Sequence, residues 1–230
     1  MERPQTFFDR LLEVPLFQGI GRGEFMEIAG NVKLAFHKVK NTSVIVCEDE
    51  LCRSLVFVLN GSFCSEHVSD DRAFSLMEWG GGPAVIQPEN LFGLRTRYAS
   101  TVRAVGDVQL LEIDKHAVTE ILARFDIFRI NFLNLVSSQA QYSRRLLWKS
   151  QSEGIERRFV QFVADRSARP AGHKTLHINM IRLADELCVT RLTVSKMLRK
   201  LEEKGLLQVG RQRIDIPMFE RLLQEISSVG

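Results

Sequence analysis

The sequence contains no long apolar run. None of its apolar stretches approaches the roughly 20 residues that a membrane-spanning helix requires, and its start, MERPQTFFDR, lacks the apolar core of a signal peptide. The 230 residues, of which 45% are hydrophobic, suffice for one large or two small domains with ordinary cores. We therefore expect a cytoplasmic protein with no membrane segment.

Cysteine and histidine are few and scattered. The four cysteines show no CxxC spacing and are Cys47, Cys52, Cys64 and Cys188. A cytoplasmic setting argues against disulfides between them. The five histidines show no ligand-like spacing and are His37, His67, His116, His173 and His177. The sequence thus predicts no metal site, no iron–sulfur centre and no other cofactor.

Motifs of the common enzyme classes are also missing. The sequence has no GxSxG elbow, no phosphate-cradling glycine loop and no paired Cys and His. A cupin-type metalloenzyme needs closely spaced histidines on its strands, whereas His37 and His67 lie far apart and have no HxH neighbour. The sequence predicts that the chain is not an enzyme, and a cupin-type metalloenzyme is the weaker alternative.

Charge is distributed unevenly along the chain. The whole sequence has 31 Lys and Arg against 28 Asp and Glu, a net charge of +3. Residues 144–213 hold 16 Lys and Arg against 7 Asp and Glu, a net charge of +9, which leaves −6 for the rest. This asymmetry is typical of a chain of which only one part meets a polyanion.

The first half is rich in short apolar runs separated by turn formers. The runs are VKLAF, TSVIV, SLVFVLNGSF, AFSLMEW, PAVIQ and STVRAVGDVQLLEI. They predict a sandwich or barrel of antiparallel strands over residues 1–113. Asn60-Gly61 and Gly106-Asp107 predict hairpin turns, because both central positions of a type I′ turn need positive φ. Gly80 to Pro83 marks another corner.

From about Asp114 the apolar period becomes helical. The stripe consists of Val118, Ile121, Leu122, Phe125, Phe128, Phe132, Leu135, Val136, Ala140 and Leu146. It predicts one long helix over 114–149, compatible with a break near Asp126, on the order of 45 Å long. A small barrel cannot cover that length, so we predict that much of the apolar face packs on a second copy in a homodimer. The alternative is that the stripe lies wholly on its own barrel.

The segment LADELCVTRLTVSK, residues 183–196, predicts a helix-turn-helix. Apolar residues recur at helical spacing first in Leu183, Ala184 and Leu187 and then in Val194 to Leu201. Thr190 is placed to cap the second helix, which then starts at about Arg191. Its polar side carries Arg191, Thr193, Ser195, Lys196, Arg199 and Lys200. These are donors for base edges and charges for phosphates. The alternative is a solvated helix in a ligand-sensing or protein-binding scaffold module.

The order of these parts resembles the bacterial transcription factors of the cyclic-AMP receptor protein and fumarate and nitrate reductase regulator (Crp/Fnr) family. The anchors are FVLNGSF at 57–63, Phe92-Gly93, STVRA at 100–104 and residues 183–207. The resemblance implies an α+β chain with a cyclic-nucleotide-binding-like β-roll (1–113), a long dimerisation helix (114–149) and a winged helix-turn-helix (150–230). It also implies a homodimer that binds a palindromic site in double-stranded DNA and contacts RNA polymerase.

The resemblance also implies roles for individual residues. Arg191 and Lys196 match positions that contact guanine edges and the DNA backbone in the family. QVGRQRIDI looks like the wing, which turns at Gly210-Arg211. The predicted DNA-binding set is Thr190, Arg191, Leu192, Thr193, Ser195, Lys196, Arg199, Lys200, Arg211 and Arg213. A hinge near residues 149–154 would let an effector favour one arrangement of the two DNA-binding domains.

Three positions depart from the family pattern. Leu192 replaces an acidic residue that accepts a hydrogen bond from a cytosine amine, so we expect a different half-site, with Leu192 touching a thymine methyl group or packing. Cys188 stands where a glycine commonly ends the first helix, and a left-handed backbone there would be strained. In FGLRTRYASTVRA, Leu94 and Tyr98-Ala99 replace the residues that would bind a cyclic nucleotide.

We therefore predict that cyclic AMP is not the effector. Arg95, Arg97 and Arg103 are candidates for binding some other anion. The effector, the half-site, the regulated genes and the sign of regulation leave no signal in the sequence.

Overall fold

The computed structural model describes residues 11–147 and 154–227. The chain divides into two compact units. We call Met1–Phe63 with Gly81–Tyr142 the roll unit, and Cys64–Gly80 with Ser143–Gly230 the winged-helix unit. Residues 64–80, which we expected inside the β-roll, thus belong with the C-terminal part. The domain bounds 1–113, 114–149 and 150–230 stay predictions.

The elements follow one another as expected for an α+β chain. The strands are β1 (Leu34–Val39), β2 (Val44–Val46), β3 (Ser54–Val68), β4 (Ser75–Gly81), β5 (Ala84–Ile86), β6 (Thr101–Asp114), β7 (Lys174–His177), β8 (Gln208–Gly210) and β9 (Arg213–Ile216). The helices are α1 (Arg22–Asn31), α2 (Lys115–Arg124), α3 (Asp126–Leu147), α4 (Ile155–Asp165), α5 (Met180–Glu186), α6 (Arg191–Glu203) and α7 (Phe219–Ser227). Residues 11–13 are also helical, and single 3₁₀ turns occur at Pro15–Phe17 and Pro88–Asn90.

Antiparallel strands build the roll unit. Strand β1 pairs with the second half of β6, and β2 pairs with its first half. Strand β5 pairs with the start of β3. Inward side chains such as Leu55, Phe57 and Leu111 are essentially inaccessible to solvent and form one apolar core. The predicted antiparallel β-roll is confirmed.

The two hairpins predicted in the roll are wrong. Strand β3 runs straight through Asn60-Gly61, and β6 runs straight through Gly106-Asp107. Both glycines do have positive φ, +99° at Gly61 and +76° at Gly106. Gly61 is needed for a different reason, since a Cβ there would lie 2.5 Å from the carbonyl oxygen of Asp107. The corner at Gly82-Pro83, between β4 and β5, is confirmed.

The helical stripe after β6 packs on its own unit. The helix breaks at Phe125, whose backbone is extended, so α2 and α3 are separate as the break near Asp126 predicts. Val118, Ile121, Phe128 and Phe132 are buried in the roll core. The expectation that this face packs on a second copy is therefore wrong for these residues, because the roll offers enough apolar surface to cover them.

The winged-helix unit has its own core and sheet. Strand β7 pairs with β9 and β9 with β8, all antiparallel. The other edge of β7 pairs with β4, which comes from the N-terminal half of the chain. Helices α4, α5, α6 and α7 cover this sheet, with Phe159, Leu183, Val194 and Phe219 fully buried.

A membrane-spanning helix is not found in the part of the chain that the structure describes, since none of its helices is both long and apolar enough.

Candidate nucleic-acid interface

Helices α5 and α6 form the predicted helix-turn-helix. Asn179 caps α5, since its Oδ1 accepts a hydrogen bond of 2.8 Å from the backbone N–H of Arg182. The buried residues Leu183, Ala184 and Leu187 share one cluster with the apolar side of α6. Arg158 of α4 donates to the carbonyl of Leu187 at 2.9 Å, which satisfies a free acceptor at the end of α5. The two helices are thus held by a common core and by capped ends.

The second helix begins at Arg191, as predicted. Thr190 has an extended backbone and accepts a hydrogen bond of 3.2 Å from the N–H of Thr193. That bond satisfies one of the free donors of the first turn. Buried Val194, Met197, Leu198 and Leu201 fix the inner face of α6. Its other face therefore points to solvent.

The turn between the two helices is strained at Cys188. Its φ of +51° lies in the left-handed region that favours glycine. The N–H groups of Cys188 and Val189 donate back to Asp185 and Ala184, both at 3.0 Å. These two bonds hold the tight turn in spite of the side chain, and the strain expected at this departure is confirmed.

All ten residues of the predicted DNA-binding set are exposed. Eight lie at the N-cap of α6 and along that helix, Arg211 lies in the turn between β8 and β9, and Arg213 is the first residue of β9. Leu192 keeps 65% of its surface exposed, so it does not pack within its own unit. Whether these ten residues contact DNA stays a prediction that the geometry permits.

The basic residues of this surface differ in whether they form ion pairs within the protein. Lys200 lies 2.9 Å from Glu156 of α4, and Arg213 makes two hydrogen bonds to Asp215, at 2.6 and 2.9 Å. The bonds from Arg213 lower the pKa of Asp215 to about 2 despite partial burial, so the pair is fully ionised at neutral pH. Arg191, Lys196, Arg199 and Arg211 form no ion pair with any described residue. Their positive charge is therefore available to a polyanion.

The β8–β9 hairpin, which is the predicted wing, is attached to α6 by Glu202. Its Oε1 accepts a hydrogen bond of 2.8 Å from the N–H of Val209 in β8. The turn itself passes through Gln212, which has a φ of +54°. Arg211 thus stands at the tip of a hairpin whose base is fixed to α6. Glu202 was missed in the sequence because a surface glutamate has no signal of its own.

The three candidate anion ligands of the roll do not form a positive site together. Arg95 Nη2 lies 3.2 Å from Asp49 Oδ1, and Arg97 donates to the carbonyl of the same aspartate. Arg103 is exposed on β6, opposite Val44 of β2. The structure brings Arg95 to the carboxylate and Arg97 to the backbone carbonyl of the same exposed aspartate, so only the charge of Arg95 has an acidic partner there.

In the segment that replaces the nucleotide-binding residues, side chains and backbone groups of the protein itself bond to one another. Tyr98 is only 5% exposed, and its backbone N–H donates to the carbonyl of Glu50 at 3.0 Å. The N–H of Ala99 donates to Gln87 Oε1 at 2.7 Å. The two backbone donors at Tyr98 and Ala99 are thus already bonded to the protein.

Two family models match this chain in sequence order. The model of the cyclic nucleotide-binding domain matches residues 36–125, and the model of the Crp-like helix-turn-helix domain matches residues 155–225. These are 90 and 71 residues, so together they account for more than two thirds of the chain. The chain belongs to the Crp/Fnr family. It is therefore a DNA-binding transcription regulator.

Several solved structures resemble this Crp/Fnr chain over most of its length. The catabolite activator protein of Thermus thermophilus is 17% identical and has a TM-score of 0.49, with 93% of this chain and 98% of that one covered. FixK2 of Bradyrhizobium japonicum is 17% identical, with a TM-score of 0.47 and coverages of 84% and 97%. DNR of Pseudomonas aeruginosa is 15% identical, with a TM-score of 0.47 and coverages of 97% and 99%. No curated protein matches the chain in sequence.

Family membership bears on the enzyme alternatives. The Crp/Fnr models describe regulators rather than catalysts. Within residues 11–147 and 154–227, no group of three or more His, Cys, Asp and Glu side chains is arranged to hold a metal ion. The described residues thus offer no support for the cupin-type alternative.

Sequence reasoning missed the contribution of residues 64–80. Glu78 of β4 is buried beside Lys174 of β7, and Phe74 and Leu76 belong to the winged-helix core. Lys174 had counted towards the basic excess, but it is only 1% exposed and is ion-paired. The one available signal was an acid at an inward position of the apolar run AFSLMEW.

Proposed function

We propose that this Crp/Fnr regulator is a homodimer that binds a palindromic DNA site without cyclic AMP. Two copies of α6, related by a two-fold axis, would lie in successive major grooves about 34 Å apart. Promoter-bound dimers would contact RNA polymerase in the cytoplasm. No cofactor and no catalytic step form part of this function.

The observation that carries the proposal is the outer face of α6. Four unpaired basic residues lie on this face and on the wing, and Arg191 stands in the first turn directly after the Thr190 cap. A bidentate arginine contact to guanine O6 and N7 contributes about 1–3 kcal/mol of discrimination. Arg191 therefore contributes specificity, whereas Arg211 on the wing contributes affinity for phosphates.

Dimerisation through residues 114–149 rests on the outer side of α3. Ile127, Ile130 and Leu133 lie on successive turns and are 36%, 55% and 56% exposed. They stand on the side that the roll core leaves uncovered. Burying such a row against its symmetry mate would stabilise a dimer.

Leu146 and the end of the predicted helix lie outside the described side chains. The hinge at 149–154 also falls there, apart from Gly154, whose φ is +94°.

Independence from cyclic AMP rests on the occupied phosphate segment. The buried side chain of Tyr98 takes the place of a phosphate ligand, and the N–H of Ala99 is already bonded to Gln87. A cyclic nucleotide would have to displace these bonds, and Tyr98 offers its phosphate no positive charge in return. An unliganded protein is therefore expected to bind its DNA site.

Selection of binding sites from a random duplex library tests the proposal. The purified, ligand-free protein is expected to enrich a two-fold symmetric motif. Arg191→Ala is expected to abolish the enrichment while much of the salt-sensitive affinity for random DNA persists. Arg53→Ala, the same change on the exposed surface of the roll, is the matched control.

The outcomes separate the parts of the proposal. An asymmetric motif would contradict the dimeric site, and enrichment only after cyclic AMP is added would contradict ligand independence. Equal loss of specific and random binding by Arg191→Ala would refute its base contact.

Leu192→Ala in the same selection is expected to weaken the preference for thymine at one position of each half-site, because the exposed leucine can touch the thymine methyl group.

A further inference from the structure

We propose that Asp71 and Arg182 are positioning residues for DNA recognition, through which the β3–β4 hairpin holds the first helix of the helix-turn-helix. This inference rests on the proposed function, because it assigns a second layer of residues to the same DNA-binding surface. Neither residue lies in the predicted DNA-binding set.

The hairpin of residues 64–80 is an integral part of the winged-helix unit. Four residues of β4, Ser75 to Glu78, pair with His177 to Lys174 of β7. This pairing covers the edge of β7 that β9 leaves open. On the inward face, Phe74 and Leu76 join the core that also buries the apolar side of α6. The apolar side of α6 thus shares its core with residues from the N-terminal half of the chain.

A buried polar cluster fixes the hairpin along its length. Glu78 pairs with Lys174, and its Oε2 lies 3.1 Å from His67 Nε2. The backbone N–H groups of Ala168 and Arg169 also donate to its carboxylate, at 2.8 and 3.3 Å. Sliding the hairpin by one residue would leave these buried charges without partners, which is strongly unfavourable. The hairpin is therefore held in one register.

At its tip the hairpin reaches α5. Asp71 Oδ2 lies 2.9 Å from Arg182 Nη2, and the same nitrogen lies 2.7 Å from Glu186 one helical turn later. Arg166, the C-cap residue of α4, also binds Glu186, at 3.1 Å, and its guanidinium stacks 4.0 Å above the ring of Phe162. The ring of Phe74 is 5.5 Å from that of Phe162, with Arg166 and Arg182 both within 6.0 Å of its centre.

These contacts fix both the position and the rotation of α5. Arg182 is joined to the hairpin by Asp71 and to α5 itself by Glu186. Since α5 and α6 share one core across the tight turn at Cys188, a displaced α5 would displace Arg191 at the start of α6. A shift of about 1 Å is enough to spoil bidentate contact with a base.

Asp71 performs two tasks that a single substitution can separate. Its Oδ1 accepts hydrogen bonds from Ser69 Oγ at 2.8 Å and from the N–H of Ala73 at 3.0 Å, and these bonds shape the turn. Its Oδ2 faces Arg182. Asp71→Asn keeps an oxygen for the turn and places an uncharged amide next to Arg182. The variant therefore tests positioning without removing the turn.

Asp70→Asn is the matched control, because Asp70 is the exposed neighbour and forms no ion pair among the described residues. Both variants lose one negative charge, so any general gain in attraction to DNA is the same for both. The full-length chain is titrated with its selected site and with random duplex. Asp71→Asn is expected to bind the selected site about fivefold more weakly than Asp70→Asn does, whereas the two variants are expected to bind random duplex equally.

Hydrogen exchange of the backbone gives a second readout on the same proteins. Faster exchange in residues 180–203 of Asp71→Asn, but not of Asp70→Asn, is expected if α5 is loosened. Arg182→Gln should reproduce the loss of affinity for the selected site, and the double variant should lose no more affinity than either single variant.

If Asp71→Asn and Asp70→Asn bind and exchange alike, the positioning role is overturned. If the wild type has no affinity for any duplex, the proposed function fails and this inference with it.

Discussion

Lys174 shows what one buried charge requires of its surroundings. Its side chain is 2% exposed, and burial lowers the pKa of its ammonium group while Glu78 opposes that shift. Burial also disfavours the charged form of Glu78. The hydrogen bond from His67 and the charge of Lys174 outweigh that effect and lower the pKa of Glu78 to about 2, from an ordinary value of 4.5. Each charge is stable only while the other is present.

Glu78→Gln is therefore expected to destabilise the winged-helix unit by about 3 kcal/mol at neutral pH, because a buried ammonium group loses its counter-charge. Protonation of Glu78 has the same effect. Since its folded pKa lies below the unfolded one, the wild type should lose this stabilisation as the pH falls from about 4.5 towards 2. Urea unfolding at several pH values checks both expectations.

Glu66→Gln serves as the control, since Glu66 lies on the same hairpin and is only partly buried. This variant should keep the acid dependence of the wild type, whereas Glu78→Gln should lose that component. Equal slopes of stability against pH in the wild type and Glu78→Gln would show that the pair does not govern acid sensitivity.

At the scale of single elements, strand β3 needs a glycine at residue 61 because it passes close to β6 there. A side chain at Gly61 would meet the carbonyl of Asp107 at 2.5 Å and Cα of Val108 at 3.0 Å. Gly93 has nearly the same φ, +97° against +99°, yet nothing lies within 4 Å of the place its Cβ would take. A side chain would thus be strained by the backbone at either position, but it would lack space only at Gly61.

Gly61→Ala is expected to destabilise the roll unit by about 1–3 kcal/mol more than Gly93→Ala, because only the first forces a strand apart. Thermal unfolding of the two variants, followed by circular dichroism, gives the difference. Equal losses would mean that positive φ alone determines the need for glycine at residue 61.

Elements whose signals are local were predictable from the sequence. The start of α6 at Arg191 follows from the Thr190 cap and the apolar period, and the break before Asp126 fits the helical pattern. The straight path of β3 through Asn60-Gly61 was not, because a strand that needs positive φ for close packing shows the same dipeptide as a hairpin. The place of the β3–β4 hairpin was hidden as well. Its partner Lys174 lies 96 residues from Glu78, and no local pattern encodes such a pairing.

At the scale of the whole molecule, the exposed row on α3 determines the expected assembly. Ile130→Glu places a charge on a side chain that is 55% exposed, so the isolated chain should fold as before. In the proposed dimer the same charge would be buried opposite its symmetry mate. Sedimentation is expected to show a dimer for the wild type and a monomer for Ile130→Glu.

Leu94→Glu provides the comparison, because Leu94 is a fully exposed leucine of the roll unit. This variant should remain a dimer. A dimeric Ile130→Glu variant would place the subunit interface elsewhere on the chain.

The hairpin of residues 64–80 also limits how such a protein can be rearranged. A chimera that exchanged only the segment after residue 150 would receive Lys174 without the Glu78 that matches it, and a core without its own Phe74 and Leu76. Two stretches of the gene, separated by more than sixty codons, must therefore be inherited together. An exchange that keeps this core intact would have to move a discontinuous set of residues and not a terminal domain alone.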